Sequence, residues 1–521
     1  MSVSLAMTRP VMPQQDVFGL LPAAHFTVTG GNCLECRLLP QAAWYFRQEV
    51  IAVPKEDVPL AAYAPRLSLD EDVATWAAAT PVGSRLEAPQ LVWLAAPDVV
   101  SAARLDVMAQ RLWTDTLSQA VQWVDRLPLN GAWLNERTAA FFDGRPVKLR
   151  GFQTAAAFTV RTLWPRDFRL PQQPERKTLA AQPAAFRAWV RALPQGGAMA
   201  PFSVESIWQA PAARPWQPGQ AVLGLMLNGA QGDDDEAHGG HFAVMSGRIG
   251  VDGAIDQWLV YNFYTLDAVS EKGILAAPVP LDNYLADLNA GQAWYRPSWL
   301  LMATLRDERT AAQVHSAFAR VFNQFYRHQF AYQHARANCA GISVRTLRQM
   351  GWQVPVSGPE NWWQAVAGLP LVAVREASLA RGKAVFDYLT EDGSVLYPAV
   401  AFEQIGADLL RLLSGERAPG SEFERALAQD IDRLLLARVP QLPSSRAWGH
   451  WPITSSAEYL ARIPADPAQR QIIPVPPRPF PEELRDPQTP AEPPLRSDYA
   501  LAGYAIALIG GLWLILRRLL A

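Results

Sequence analysis

Apolar and polar positions change period several times along the chain, and each change predicts an element. In His25-Phe26-Thr27-Val28-Thr29 they alternate, Thr29-Gly30-Gly31-Asn32 supplies turn residues, and Glu49-Val50-Ile51-Ala52-Val53 is β-branched. Short strands and turns are therefore expected in roughly the first 60 residues. Between Ala103 and Trp123 the residues Leu105, Met108, Leu112, Leu117 and Val121 recur at helical spacing, which predicts an amphipathic helix. Pro-rich connections over 150–200 enclose a predicted helix from Pro183 to Leu193.

The clearest block follows. Ala221 to Leu227 is a continuous apolar run of strand length, Gln231 to Gly240 is a polar acidic loop, and Phe242 to Ser246 and Trp258 to Tyr264 read as further strands. Gly250 to Gly253 turns between the last two. Thr310 to Phe330 carries Val314, Phe318, Val321, Phe322 and Phe325 on one side of a helix, an ordinary core face rather than a lipid-binding one. Asn338 opens a helix from Cys339 to Met350, which Gly351 ends. From about 355 to 460 helices predominate, among them Gln404 to Leu413 and Glu422 to Leu436.

At the far end the period disappears. Tyr499 to Leu516 contains no charged residue and is apolar all round, then Arg517 and Arg518 follow. A helix of this length rises ~27 Å, so a C-terminal transmembrane anchor is expected, with the bilayer as partner. Before it, the stretch from Pro464 to Pro494 holds eleven prolines. That composition favours extended chain and predicts a stiff leash. No basic segment followed by a sustained apolar stretch occurs in Met1 to Gly31, so a body on the cytoplasmic side is expected. The terminal arginines favour the opposite, periplasmic placement under the positive-inside rule.

Composition narrows the function. The 521 residues are 50% hydrophobic and 18% charged, enough for at least one large core. A net charge of −2 without a basic stripe argues against nucleic acid as a partner. Three cysteines, Cys33, Cys36 and Cys339, are too few for a disulfide framework.

Cys339 sits where thiol chemistry is favoured, because the positive end of a helix stabilises a thiolate and its amides can face an oxyanion. A thiol nucleophile needs a base, and His241, after two glycines at the start of a strand, is the expected one. Asn262, on the following strand, is placed to orient the imidazole. Tyr332 is a weaker expectation for an oxyanion donor, and His334, five residues before Cys339, for a site-lining group. The remaining histidines, including His315, His328 and His450, read as surface or packing residues.

Gly240-His241-Phe242 on a strand, Asn262-Phe263 on the next, and Asn338-Cys339 opening a helix resemble the circularly permuted NlpC-like branch of papain-like cysteine hydrolases. More narrowly they are similar to the Lnb-type periplasmic domain, and more distantly to lecithin–retinol acyltransferase-like proteins. In these families the histidine precedes the cysteine, as here. The resemblance covers roughly 215–355 and implies an antiparallel sheet packed on the cysteine-bearing helix, with a Cys339–His241–Asn262 triad. Lnb-type domains are usually exported, whereas no signal peptide is expected at the start of this chain.

The expected organisation is thus an α+β chain. It comprises a mixed, β-rich N-terminal region (1–200), a permuted papain-like core (215–355), a helical region (356–462), a Pro-rich linker (463–498) and a transmembrane anchor (499–516). The expected activity is that of a membrane-anchored cysteine hydrolase or acyltransferase working on an amide, ester or thioester of a peptide or lipid-acyl substrate. A non-catalytic tail-anchored adaptor with a papain-like body is the rival. No cofactor and no metal are expected. His238 and His241 beside Asp233-Asp234-Asp235-Glu236 admit a divalent ion, but in a glycine loop the plainer reading is a solvated acidic turn. Those acids would raise the pKa of a neighbouring histidine. Cys33-Leu34-Glu35-Cys36 lacks a second ligand pair and reads first as structural thiols, with metal and redox roles open.

Overall fold

The computed structural model describes residues 26–30, 50–54, 68–84, 93–95, 98–124, 135–235, 237–264, 276, 278–288, 292–326, 330, 332–335, 337–360, 362–445 and 447–472. Near the N-terminus β1 (Phe26–Gly30), β2 (Val50–Pro54) and β3 (Trp93–Ala95) form an antiparallel sheet. Helix α1 (Leu69–Ala79) starts at a capping box between Ser68 and Glu71. Next comes a closed five-stranded barrel of β4 (Asp98–Asp106), β5 (Arg111–Trp113), β6 (Ser118–Trp123), β7 (Val147–Gln153) and β8 (Phe158–Pro165). Helix α2 (Glu136–Phe142) lies between β6 and β7.

The barrel corrects the helix expected over Ala103–Trp123. Leu105, Leu112 and Val121 are interior residues of three different strands, whereas Met108 and Leu117 are exposed at the turns. Short strands joined by tight turns reproduced a helical spacing by chance. Gln110, with φ of 51°, and the Asp106 carboxylate that accepts the Ala109 N–H at 2.7 Å fix the first turn.

With helix α3 (Pro183–Val190) set between its first two strands, an eight-stranded sheet dominates the molecule. Its strands are β9 (Glu175–Arg176), β10 (Ser203–Gln209), β11 (Ala221–Asn228), β12 (His241–Arg248), β13 (Leu259–Tyr261), β14 (Pro278–Pro280), β15 (Ser298–Leu305) and β16 (Ile431–Val439). They are ordered β14-β13-β12-β11-β15-β16-β10-β9, and every neighbouring pair is antiparallel except β9 and β10. β11 and β15 are buried at every residue, the pattern of strands covered on both faces.

Helices α4 (Leu281–Ala286), α5 (Gln292–Tyr295), α6 (Arg309–Tyr326) and α7 (Cys339–Gln349) follow the sheet's central strands. Beyond them lie α8 (Trp362–Arg375), α9 (Leu379–Thr390), α10 (Gly393–Leu396), α11 (Pro398–Leu413), α12 (Glu422–Asp430) and α13 (Ser456–Arg462). α6, α7 and α11 pack on β12. The helix expected over Glu422–Leu436 stops at Asp430, because Leu434, Leu435 and Leu436 are buried in β16 between β15 and β10. The central sheet thus draws strands from well outside 215–355.

The expected fold class also needs correction at its last element. Among the described residues no helix is long and apolar enough to cross a membrane. The longest, α6, carries Arg309, Gln313, Arg320 and Gln324 along one side, which gives it a polar face. The run Tyr499–Leu516 and the linker from 473 onward lie outside the described residues. The architecture is α+β, and the described residues include no transmembrane helix.

Candidate active site

Two strand ends and one helix end meet at the site. His241 is the first residue of β12 and faces Asn228 of β11 in the register. Gly240 precedes it with φ of +71°, and a Cβ there would lie 2.6 Å from the Asn228 carbonyl oxygen, so only glycine fits that approach. Asn262 directly follows β13. Its Oδ1 lies 2.5 Å from His241 Nε2, and both side chains are buried. An amide oxygen can only accept, so Nε2 carries the proton and Nδ1 keeps the lone pair a base requires.

Cys339 begins α7. The Asn338 side chain caps this helix, accepting the Gly341 N–H at 2.7 Å and donating to the carbonyls of His334 and Leu396 at 3.0 and 2.8 Å. The Phe242 backbone amide, the Tyr332 hydroxyl and the Ala340 amide all act on the Cys339 sulfur and favour its thiolate form. Phe242 adjoins His241, so the sulfur lies one residue away from the imidazole-bearing position on β12. In addition the Cys339 backbone N–H reaches the Tyr332 oxygen. A ring series His241–Tyr264–Tyr332–His334, with successive centroids 6.2, 5.5 and 5.4 Å apart, connects these groups.

Electrostatics define the resting protonation state. Burial, then the Arg296 charge, lowers the His241 pKa to about 3, although the Asn262 hydrogen bond favours the cation. Burial pushes the Cys339 thiol up. The Phe242, Tyr332 and Ala340 donors and Arg296 pull it back without cancelling that effect. A neutral thiol and a neutral imidazole result, which corrects the thiolate expected from the helix end alone. Desolvation outweighs the partial charge of one helix terminus.

The acidic loop acts elsewhere. His238, not His241, feels Asp235 and Asp234, and it is held below the ordinary histidine range by burial and then by Arg462. Among the described residues no group of three or more His, Cys, Asp or Glu gathers as a metal site. Cys33, Cys36, His25 and His328 lie outside the described residues. His315 is buried and its Nδ1 lies 2.6 Å from the Tyr261 hydroxyl, within the core.

Sequence reading missed Arg296. It is buried behind the site, and Nε and Nη2 both donate to Gln292 Oε1, the former at 2.8 Å. The available signal was its position as the sole cation between Lys272 and Arg306. Beneath His241, Asn228 Nδ2 donates to Ser298 Oγ at 2.7 Å and its Oδ1 accepts the Tyr284 hydroxyl at 2.6 Å, which braces the strand end.

No protein-family model matches the chain, and no curated protein and no solved structure is significantly similar to it.

Proposed function

We propose that this protein is a papain-like cysteine hydrolase or acyltransferase acting on an amide, ester or thioester carbonyl. The observation that carries the reading is the His241 Nε2–Asn262 Oδ1 contact of 2.5 Å beside a sulfur held by the Phe242 amide. In the first step the Cys339 thiol attacks the carbonyl carbon while its proton passes to His241 Nδ1. The oxyanion that forms is met by the Cys339 N–H and the Tyr332 hydroxyl, which lie close together next to the sulfur. His241 then gives the proton to the departing amine, alcohol or thiol, leaving an acyl-thioester. Water or an acyl acceptor reverses the sequence, with His241 again the base. Asn262 keeps the imidazole in the Nε2–H tautomer throughout, and Arg296 favours negative charge on sulfur.

Because the resting thiol is neutral, an acylating probe tests this reading better than an alkylating one. An activated aryl ester acylates only with base and oxyanion assistance, whereas iodoacetamide reports free thiolate. The ester is expected to acylate Cys339 selectively, and His241→Ala to abolish the reaction in a folded protein. Equal, slow acylation of all three cysteines would refute the proposal.

A further inference from the structure

Helices α8 and α9 form a hairpin that packs mainly on itself. Only Ala365 of α8 and Gly382 of α9 are buried. At Gly382 a Cβ would lie 2.4 Å from the Leu369 carbonyl oxygen, so glycine permits the close crossing of the two helices. The turn between them is tight, with Ala377 at φ of 48° and Ser378 Oγ accepting the Arg381 N–H. This is a built element with a defined outer face.

That face is apolar. Trp363 is 81% exposed, Val374 76%, Leu371 68%, Trp362 53% and Val366 42%. Single exposed apolar residues are ordinary, but five large ones on one helix are not. From Trp362 to Val374 α8 carries no charge, and its only polar side chain is Gln364. Charge appears at the turn, where Arg375 and Arg381 share the single acid Glu376 at 2.9 and 4.0 Å and stay largely in solvent. A tryptophan pair at one end of an apolar helix and surplus guanidinium at the other is the distribution that a bilayer interface rewards. A folded protein partner would instead be expected to meet some polar complement along the helix.

We infer that the α8–α9 hairpin is a lipid-docking element whose α8 face enters the interfacial zone of an anionic membrane. It is independent of the thiol chemistry and of the segment beyond 473. With a chain of net charge −2 the electrostatic attraction is local to the turn, so apolar contact supplies most of the association. The base of the hairpin adjoins the site, because the Asn338 side chain donates to the Leu396 carbonyl just beyond α9. Docking would therefore bring Cys339 close to the bilayer.

The test is photocrosslinking in the full chain with Leu371→p-benzoylphenylalanine, mixed with vesicles of equimolar phosphatidylcholine and phosphatidylserine. The same probe at Val251, an isolated residue 74% exposed, is the control. The position-371 probe is expected to yield about tenfold more acyl-chain adduct than the control. Val374→Asp, a change at a solvent-facing position, is expected to remove that excess. Adducts that join position 371 to 499–516 of the same chain, or to a second copy, would overturn the inference. Lipid adducts no greater than the control, or unaffected by Val374→Asp, would overturn it as well.

Discussion

His241 is buried away from water, and its titration has a measurable consequence. In the unfolded chain its pKa lies near 6.5, while in the fold it lies at about 3. The unfolded state therefore binds a proton first as pH falls. Stability associated with His241 is fully present above the unfolded value and is lost progressively from about pH 6.5 toward 3. At pH 4 that loss amounts to roughly 3 kcal/mol. Urea unfolding at pH 7 and pH 4 should show His241→Gln losing about that much less than the parent between the two conditions. A similar loss in both would show that His241 titrates normally. Tyr332 makes a separate prediction. Burial, then Cys339, holds its phenol well above the ordinary range, so it stays a donor at working pH. Tyr332→Phe should slow ester acylation of Cys339 by about a hundredfold, the usual effect of one lost oxyanion donor. Iodoacetamide alkylation should change far less, and equal slowing of both reactions would assign the hydroxyl to the thiol's acidity instead.

At the scale of elements, Asn338 couples a helix end to two neighbouring segments. Its Oδ1 caps α7, while Nδ2 bridges the carbonyls of His334 and Leu396. Asn338→Ser keeps an acceptor for the cap and loses the bridge, and Asn338→Ala loses both. The two variants should differ by about 1 kcal/mol in urea unfolding, with the alanine variant about 2–4 kcal/mol below the parent. Equal stabilities would mean that the cap contributes nothing. The start of α7 was legible because Asn338 and Gly351 are local signals, and the runs forming β11 and β12 were legible because burial leaves long apolar stretches. Local spacing failed where short strands met tight turns, as at Leu105, Met108 and Leu112, and where Leu434 to Leu436 owe their conformation to strand neighbours. In the site, the histidine, asparagine and cysteine had positional signals of their own. Arg296 had only its isolation as a cation between Lys272 and Arg306, and the Phe242 amide had no signal, since their relation to the sulfur exists only after distant segments pack.

Across the whole molecule, the barrel is attached to the sheet domain through buried charge. Lys148 and Arg150 of β7 meet Asp282 of α4 at 2.8 Å each, Lys148 also contacts Asp256, and Arg161 of β8 meets Asp287 at 2.7 Å. Burial raises the Asp282 carboxyl, but Arg150 and Lys148 outweigh it and hold the group below the ordinary carboxylate range. Such a cluster contributes little net stability when intact, because desolvation offsets attraction, yet breaking it from one side strands the remaining charges. Asp282→Asn should therefore cost about 3–5 kcal/mol at pH 7 by leaving two buried cations with one fewer anion. The pH window differs from that of His241. The contribution of Asp282 is present above an unfolded carboxyl pKa of about 3.9 and is lost only as pH falls through its lower folded value. Between pH 7 and pH 5 the parent should then lose stability through His241 while its advantage over Asp282→Asn stays constant. Amide exchange adds a spatial reading: in Asp282→Asn protection should fall first in β7 and β8 and persist in β11 and β15. Uniform loss across all four strands would show that the barrel and the sheet unfold as one unit, and that the ion cluster does not control a separable joint.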